Sequence, residues 1–551
     1  MTRSPGLAPE MTEMVVQTLR QVVQRELPDA RILELDEQDV FPQDLIDKLL
    51  SPDVGLHLIF LPEAAGGLGG GARDICRISE EMARTDLGVA TAFLAICLGT
   101  DPLMVGGTPE QKDTWLTRIA GGEIVAYGVT EPEAGSNVQS LKTTADQIIG
   151  DDGTVTGYRL NGAKQWITNG GVASIFTILA KTPGGPTFFV VEKGTPGLSA
   201  GKKEEKHGIR ASNTASVILE DVEVPAANLV GGVEGQGLKQ ANAVFGYTRL
   251  MVGAFGLGGG QAAFDRALQY GRERIQFGAP LVEKEGFLLK LLAPHWVDLA
   301  AGRAYVQHVA ARIDSGEDEL QVEGSVAKLW CTEAGNAAAD AAIQALGGYG
   351  YSREYMVEKI RRDVRITTIY EGTSEIQQEI IGLQRWKQYR STKGGFYETM
   401  AARCDEVHVG NADVGAAVAA AALRGLNDII GEANASRALG HQIIRFRLAD
   451  VMCRCEIAGI MAEKAAQLAT AGDADAELFA AGSRVYARKA VRAVMDAASL
   501  VTAGFAETGD TDALGKGCQL VETVGGRLAP AALAGEWRDL ARVGEILKQR
   551  D

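Results

Sequence analysis

Residues Ile369 to Gln377 read IYEGTSEIQ. An apolar run ends in a glutamate, a glycine, two hydroxyls and a second glutamate. A glutamate beside glycine is ordinarily a solvated surface group. A carboxylate behind an apolar run has a second use: partial burial raises its pKa and makes it a better base. Ser374 to Gln377 has the spacing of a capping box, with Ser374 as N-cap and Gln377 reaching back. Ile376, Ile380 and Leu383 then continue at helical spacing. Glu371 therefore stands just ahead of a helix start, where a rigid element can aim it.

Other chemistry-bearing patterns are weaker. The glycines of LPEAAGGLGGGARD, Leu61 to Asp74, lack the strand–loop–helix setting and the Gly-Lys-Ser/Thr ending of a phosphate loop. Those of GAFGLGGG, Gly253 to Gly260, fall inside a helical pattern and suit close helix–helix approach. The seven cysteines are scattered and form no CxxC pair, so neither a disulfide framework nor a metal site is expected.

The elements that must position these residues change character along the chain. Pro9 to about Gly122 is helical by period. About Tyr127 to Leu229 is rich in β-branched and aromatic residues, broken by Asn-Gly and Pro-Gly turns. Helical patterns return over Lys239–Glu273, Phe287–Ser315 and Leu320–Leu346. RWKQYRSTKGGFYE, Arg385 to Glu398, reads as a basic, polar domain exit, and an Ala-rich helical block follows. The expected fold is mainly α with a central β domain. It comprises an N-terminal helical domain (1–125), an antiparallel β domain (126–233), a four-helix bundle carrying Glu371 (234–384), a linker (385–412) and an appended C-terminal helical domain (413–551).

The last block echoes the bundle. Displaced by 156 residues, the stretch from Leu292 lies over that from Leu448 without a gap; Lys328 falls on Arg484, Trp330 on Tyr486 and Ala334 on Ala490. Two Ala-rich hairpins align by composition alone, so a degenerate bundle copy and chance similarity both stand at this point.

A chain of 551 residues needs several cores. Hydrophobic residues at 46% and charged residues at 23% are ordinary for a globular protein. A net charge of −16 argues against a nucleic-acid role, which needs a basic face. The start, MTRSPGLAPEMTEM, has no apolar signal core, and no spanning helix is expected; a reducing cytoplasm is the expected compartment.

Six motifs occur in order: AYGVTEPEAGSN (126–137), WITNGG (166–171), GIRASNTASVILEDVEVP (208–225), RIQFGAPL (274–281), QALGGYGY (344–351) and RDVRITTIYEGTSEIQ (362–377). Together they resemble the acyl-CoA dehydrogenase family of flavoproteins over about residues 9–384.

The resemblance implies FAD as cofactor and an acyl-CoA thioester as substrate, oxidised to the trans-2-enoyl-CoA. Glu371 is then the base for the Cα proton, and flavin N5 receives the Cβ hydride. The Glu371 N–H and a ribityl hydroxyl would bind the thioester carbonyl and stabilise developing enolate charge. Val129, Thr130 and Ser136 would bind the flavin ring or the pantetheine arm. Trp166 and Thr168 would back the isoalloxazine. Arg274, Gln276 and Phe277 would reach a neighbouring subunit's FAD diphosphate, with Gln344, Gly347 and Gly348 on the same ADP portion. Thr373 and Glu375 would contact the cofactor from the base-bearing chain. Phe93, Leu94, Arg249, Tyr370 and Gly372, with Ser136, would serve substrate. Phe93 and Leu94 lie in GVATAFLAICLG, which has no Arg and so favours an apolar acyl tail. Many relatives have Asp at Asn137, Gln at Glu375 and Asp at Gly246.

Gly440 to Leu468 resembles the appended domain of very-long-chain acyl-CoA dehydrogenases, which implies a homodimer. Electron-transferring flavoprotein is the implied acceptor. A desulfinase or oxidase on the same fold, and a respiratory-complex assembly role, remain open at this stage. Arg385, Lys387, Arg390 and Lys393, with Trp386, Tyr389 and Phe396, read as a solvated linker or, less readily, as a peripheral membrane contact.

Overall fold

The computed structural model describes residues 5–317, 320–503, 515, 518–526 and 534–550, with backbone only at 244–245 and 502–503. The chain forms two compact units: Met1–Gly259 with Ala310–Gly324 and Arg362–Thr367, and Gly260–Val309 with Ser325–Arg361 and Thr368–Asp551.

The first unit begins with the expected helices. Leu87–Gly106 is its core. Asp86 caps this helix by accepting the Val89 N–H at 2.8 Å, and most of its side chains are buried. Its mean hydropathy of 1.6 and 20-residue length would suffice to cross a bilayer, a property the sequence reading did not assign to it. Here most of the helix is core, and Phe93 packs on Phe60 with ring centres 5.6 Å apart. The glycine-rich turn folds back on the preceding segment, with Leu68 N–H donating to Leu58 O at 2.7 Å. A Cβ at Gly258 would lie 2.3 Å from the Glu80 carbonyl, so that glycine serves helix approach rather than a ligand.

Seven strands form one sheet in this unit: β1 (Val125–Gly128), β2 (Thr144–Ile149), β3 (Val155–Thr168), β4 (Ile175–Thr182), β5 (Gly185–Glu192), β6 (Leu198–Ala200) and β7 (Thr214–Pro225). The order is β1-β4-β2-β3-β7-β6, with β5 also on β4. The expectation of a purely antiparallel domain needs correction. β1 runs parallel to β4, Val125 opposite Ile175 through Gly128 opposite Ile178, and β2 meets β4 in parallel at one residue pair. β1 enters directly from the last N-terminal helix and takes the edge beside β4, and so has no hairpin partner.

The second unit holds long helices from both the bundle and the C-terminal block. Residues 385–412, expected as a linker, are helical: Ser374–Thr392 runs on to Lys393, which ends it in the left-handed region, and Gly395–Gly410 follows. Of the residues read as an exposed basic–aromatic cluster, Arg385 is buried, Trp386, Tyr389 and Phe396 are half-buried, and Lys387, Arg390 and Lys393 are exposed. Arg385 is 3% exposed, makes two 2.8 Å bonds to Glu456, and lies over the Phe396 ring at 4.6 Å. Trp386 Nε1 donates to Asn434 at 2.9 Å. At the aligned positions of the suspected repeat, Trp330 and Tyr486 meet edge to face, 5.4 Å apart at 88°.

Candidate active site

Non-glycine residues rarely take positive φ, and such strain concentrates at functional positions. Among the described residues nine do so: Asp39, Trp166, Asn169, Ile209, Asp221, Phe277, Glu371, Lys393 and Arg437. Three of these, Trp166, Phe277 and Glu371, are site residues read from the sequence.

In the first unit, β3 pairs with β7 through a bulge. Lys164 opposes Val217 and Ile167 opposes Ala215, so one extra residue sits on β3. A bulge re-aims a side chain. Trp166, at φ +60°, is turned out with 60% of its surface exposed, a flat aromatic face with nothing of its own unit over most of it. Asn169 anchors the following turn by donating from Nδ2 to the Ala92 carbonyl at 2.8 Å. The Gln165 N–H donates to the Thr130 carbonyl at 2.9 Å, which sets the AYGVTEPEAGSN segment beside β3. Val129 is buried, Thr130 and Thr168 half-buried, and Ser136 exposed in the turn. Phe93 and Leu94 are fully buried in the core. Arg249 is 8% exposed, and its Nη1 donates to the Gln321 carbonyl at 3.5 Å.

Beneath these residues lies a pair the sequence reading missed. Lys164, with no exposed surface, donates to Glu131 Oε1 at 2.6 Å and to the Val129 carbonyl at 3.3 Å. Glu131 also accepts the Lys142 and Thr143 N–H groups. The pair thus ties 129–131, 142–143 and β3 together. Burial pulls the Lys164 ammonium down to about 8 against the pull of Glu131. Burial works to raise the Glu131 carboxyl, but the Lys142 amide, Lys164 and Thr143 outweigh it and hold it low. Between about pH 8 and 10.5 the unfolded chain's lysine keeps a proton that native Lys164 has lost. This group therefore adds stability as pH rises through that window, and its burial cost is carried in full below it. Melting temperatures measured from pH 7 to 10 are expected to rise in the wild type relative to a Lys164→Met/Glu131→Leu variant above pH 8; parallel curves would contradict the assignment.

In the second unit the hairpin Ile275–Pro280 pairs Ile275 with Pro280 and Gln276 with Ala279. Its two central residues, Phe277 (φ +52°) and Gly278 (φ +79°), both take positive φ, as a type I′ turn requires. Phe277 projects from the tip, 96% exposed. Arg274, Gln276, Gly347 and Gly348 come together around a cavity of about 570 Å³, with Tyr270, Tyr349 and Tyr355 also in its wall. Arg274 lies over the Tyr349 ring at 5.9 Å. A Cβ at Gly347 or Gly348 would meet nothing within 4 Å, so their backbone faces open space. An arginine fork and bare glycine amides are suited to a diphosphate. Gln344, exposed in the last turn of Gln321–Leu346, and the Phe277 tip are not among the cavity-lining residues.

The turn carrying Glu371 lies in the same unit. The predicted capping box is displaced by one residue. Thr373 is the N-cap, accepting the Ile376 N–H at 3.4 Å. Ser374 instead donates its hydroxyl to Glu333 at 2.6 Å, which removes it from capping. The Gln377 amide donates to the carbonyls of Glu371 and Gly372, both at 3.1 Å, rather than to the cap N–H. Glu371 and Gly372 take φ of +54° and +93°. A left-handed glutamate costs about 1–2 kcal/mol and is held here by its surroundings. Tyr370, Glu371 and Thr373 are half-buried; Glu375 is exposed. Lys328, also missed from sequence, is fully buried and donates to the Gly372 carbonyl at 2.7 Å. A lysine inside SVAKLW, and another inside an alternating strand, are the signals that could have found the two buried cations.

Family models of the acyl-CoA dehydrogenase N-terminal domain (9–123) and middle domain (126–222) match the chain, and that of the C-terminal domain matches twice, over 235–384 and 402–527. Acryloyl-CoA reductase (NADH) of Anaerotignum propionicum is 38% identical over 383 residues, 68% of this chain and 94% of that protein. The chain belongs to the acyl-CoA dehydrogenase family. A short-chain-specific acyl-CoA dehydrogenase of Megasphaera elsdenii is 37% identical, over 64% of this chain and 92% of its own. Among solved structures, an acyl-CoA dehydrogenase complexed with FAD from Bacillus anthracis matches with a TM-score of 0.84 and 25% identity, covering 100% of this chain and 97% of that one. The match of the C-terminal model to both 235–384 and 402–527 of this acyl-CoA dehydrogenase family member agrees with the alignment at 156 residues.

Proposed function

We propose that this chain oxidises an acyl-CoA thioester to the trans-2-enoyl-CoA, with Glu371 removing the Cα proton. The observation that carries the reading is the Glu371 turn: a half-buried carboxylate held left-handed by Gln377 and Lys328 behind an apolar run. FAD is the cofactor, and when bound it accepts the hydride equivalent from Cβ. Arg274, Gln276, Gly347 and Gly348 would hold its diphosphate, with Gln344 beside them. Val129, Thr130, Trp166 and Thr168 would face its ring, and Thr373 and Glu375 would contact it from the base-bearing turn. Tyr370 and Gly372 flank the base in sequence; Ser136 would bind the flavin ring or the pantetheine arm, and Arg249 would serve the substrate. Phe93 and Leu94 favour an apolar acyl tail. Phe277, bare at its hairpin tip, fits a group that reaches a second subunit, so the working assembly is a homodimer. Electron-transferring flavoprotein is the acceptor that the family resemblance implies.

Anaerobic mixing of FAD-loaded protein with a panel of saturated acyl-CoA thioesters tests this. Bleaching of the flavin by at least one is expected, and none by free CoA; no bleaching by any would sink the reading. The cofactor site has its own test. Gly348→Leu puts a side chain into open space without strain, so the fold should survive while FAD retention falls below about a tenth. Full FAD occupancy in that variant would remove Gly348 from the site.

A further inference from the structure

The turn at Glu371 is over-determined. Two consecutive residues, Glu371 and Gly372, hold positive φ; two side chains bond to their carbonyls and a third bonds to Ser374, just beyond them. Gln377 donates to both of their carbonyls. Glu333 accepts the Ser374 hydroxyl. Lys328 donates its ammonium to the Gly372 carbonyl at 2.7 Å. Lys328 and Glu333 belong to one helix, Gln321–Leu346, so a single rigid element grips the turn on both sides of Thr373.

Lys328 is the unusual member. Burying an ammonium is costly, and a lysine of ordinary structural use keeps its head in water. Here the side chain has no exposed surface and delivers a charge-assisted hydrogen bond to the carbonyl of Gly372, the residue after the candidate base. That bond pulls on the carbonyl whose orientation sets the Glu371–Gly372 backbone. A side chain on Gly372 would lie 2.5 Å from the Gln377 amide, so the turn has no slack on its other face.

We infer that Lys328 is a positioning residue for Glu371: its bond to the Gly372 carbonyl holds the left-handed turn that aims the carboxylate at the Cα proton. This rests on the reading of Glu371 as the base.

The test compares wild type, Lys328→Met, Lys328→Arg and Glu371→Gln as FAD-loaded full chains, using a saturated acyl-CoA that bleaches the wild-type flavin. Lys328→Met should keep FAD yet lose about 10- to 100-fold in the limiting rate of flavin reduction, because a displacement of about 1 Å has that effect. The half-saturating acyl-CoA concentration should stay nearly constant. Amide exchange over 371–373 should quicken in the absence of substrate. Lys328→Arg, which keeps a charged donor, should recover part of the rate. A Lys328→Met rate equal to wild type, or a loss confined to half-saturation or FAD content, overturns the inference. If Lys328→Met does not fold, Lys328→Gln is judged by the same criteria. Glu371→Gln separates the two claims. Unchanged bleaching there overturns the base assignment; abolished bleaching there with normal Lys328→Met kinetics overturns only the role of Lys328.

Discussion

Glu371→Gln is expected to slow flavin reduction by an acyl-CoA by about 10³-fold or more, at the upper end of what a positioned general base contributes. Glutamine keeps the volume and the backbone bonds of the turn, since Gln377 and Lys328 hold carbonyls rather than the Glu371 side chain. FAD content and melting temperature should therefore match wild type. The Cα proton of a thioester is only weakly acidic, so an amide cannot replace the carboxylate. Anaerobic stopped-flow absorbance in the flavin band measures this directly. A rate within tenfold of wild type would place the base elsewhere, and Glu375, exposed and one turn on, would be the first alternative to replace.

Arg385→Met is expected to destabilise the protein by about 3–5 kcal/mol, the usual cost of leaving a buried charge without its partner. Glu456 is almost fully buried and accepts two bonds from Arg385, one from Tyr397 at 3.1 Å and one from Tyr305 at 3.3 Å. Tyr305 comes from the bundle helix Ala293–Asp314, Arg385 and Tyr397 from the two helices found where a linker was expected, and Glu456 itself from Gln442–Ala471. Removing the guanidinium leaves a carboxylate among phenols. Glu456→Gln in the Arg385→Met background removes that charge, keeps an acceptor oxygen for one tyrosine and offers the other hydroxyl an N–H to accept, so it should recover a large part of the loss. Thermal melts of the single and double variants check this. A single variant as stable as wild type would show that the pair is not the tie it looks to be.

The turn ahead of the helix at Ser374, the glycine turn at 347–348 and the segment at 274–281 are legible in the sequence because each is a local motif, while their chemical roles rest on the family resemblance. Long helices were legible from their period, with Lys239–Glu273 found at Gly237–Glu273. What failed depended on partners distant in sequence. Ser374 looks like a cap until Glu333, 41 residues earlier, draws its hydroxyl away. Arg385 reads as a solvated linker cation because Glu456 lies 71 residues on. Lys164 and Lys328 were passed over because a buried lysine is recognised by what it bonds. β1 was placed in an antiparallel domain because composition shows a strand but not which edge it joins.

The central claim is that Glu371 takes a proton from Cα while Cβ loses a hydride. Single-turnover flavin bleaching with an acyl-CoA deuterated at Cα tests it most directly, followed by mass analysis of the product. The account predicts slower bleaching than with the unlabelled thioester and a product lighter by one deuterium and one hydrogen. Bleaching at an unchanged rate that leaves both Cα deuterons in the product would contradict it.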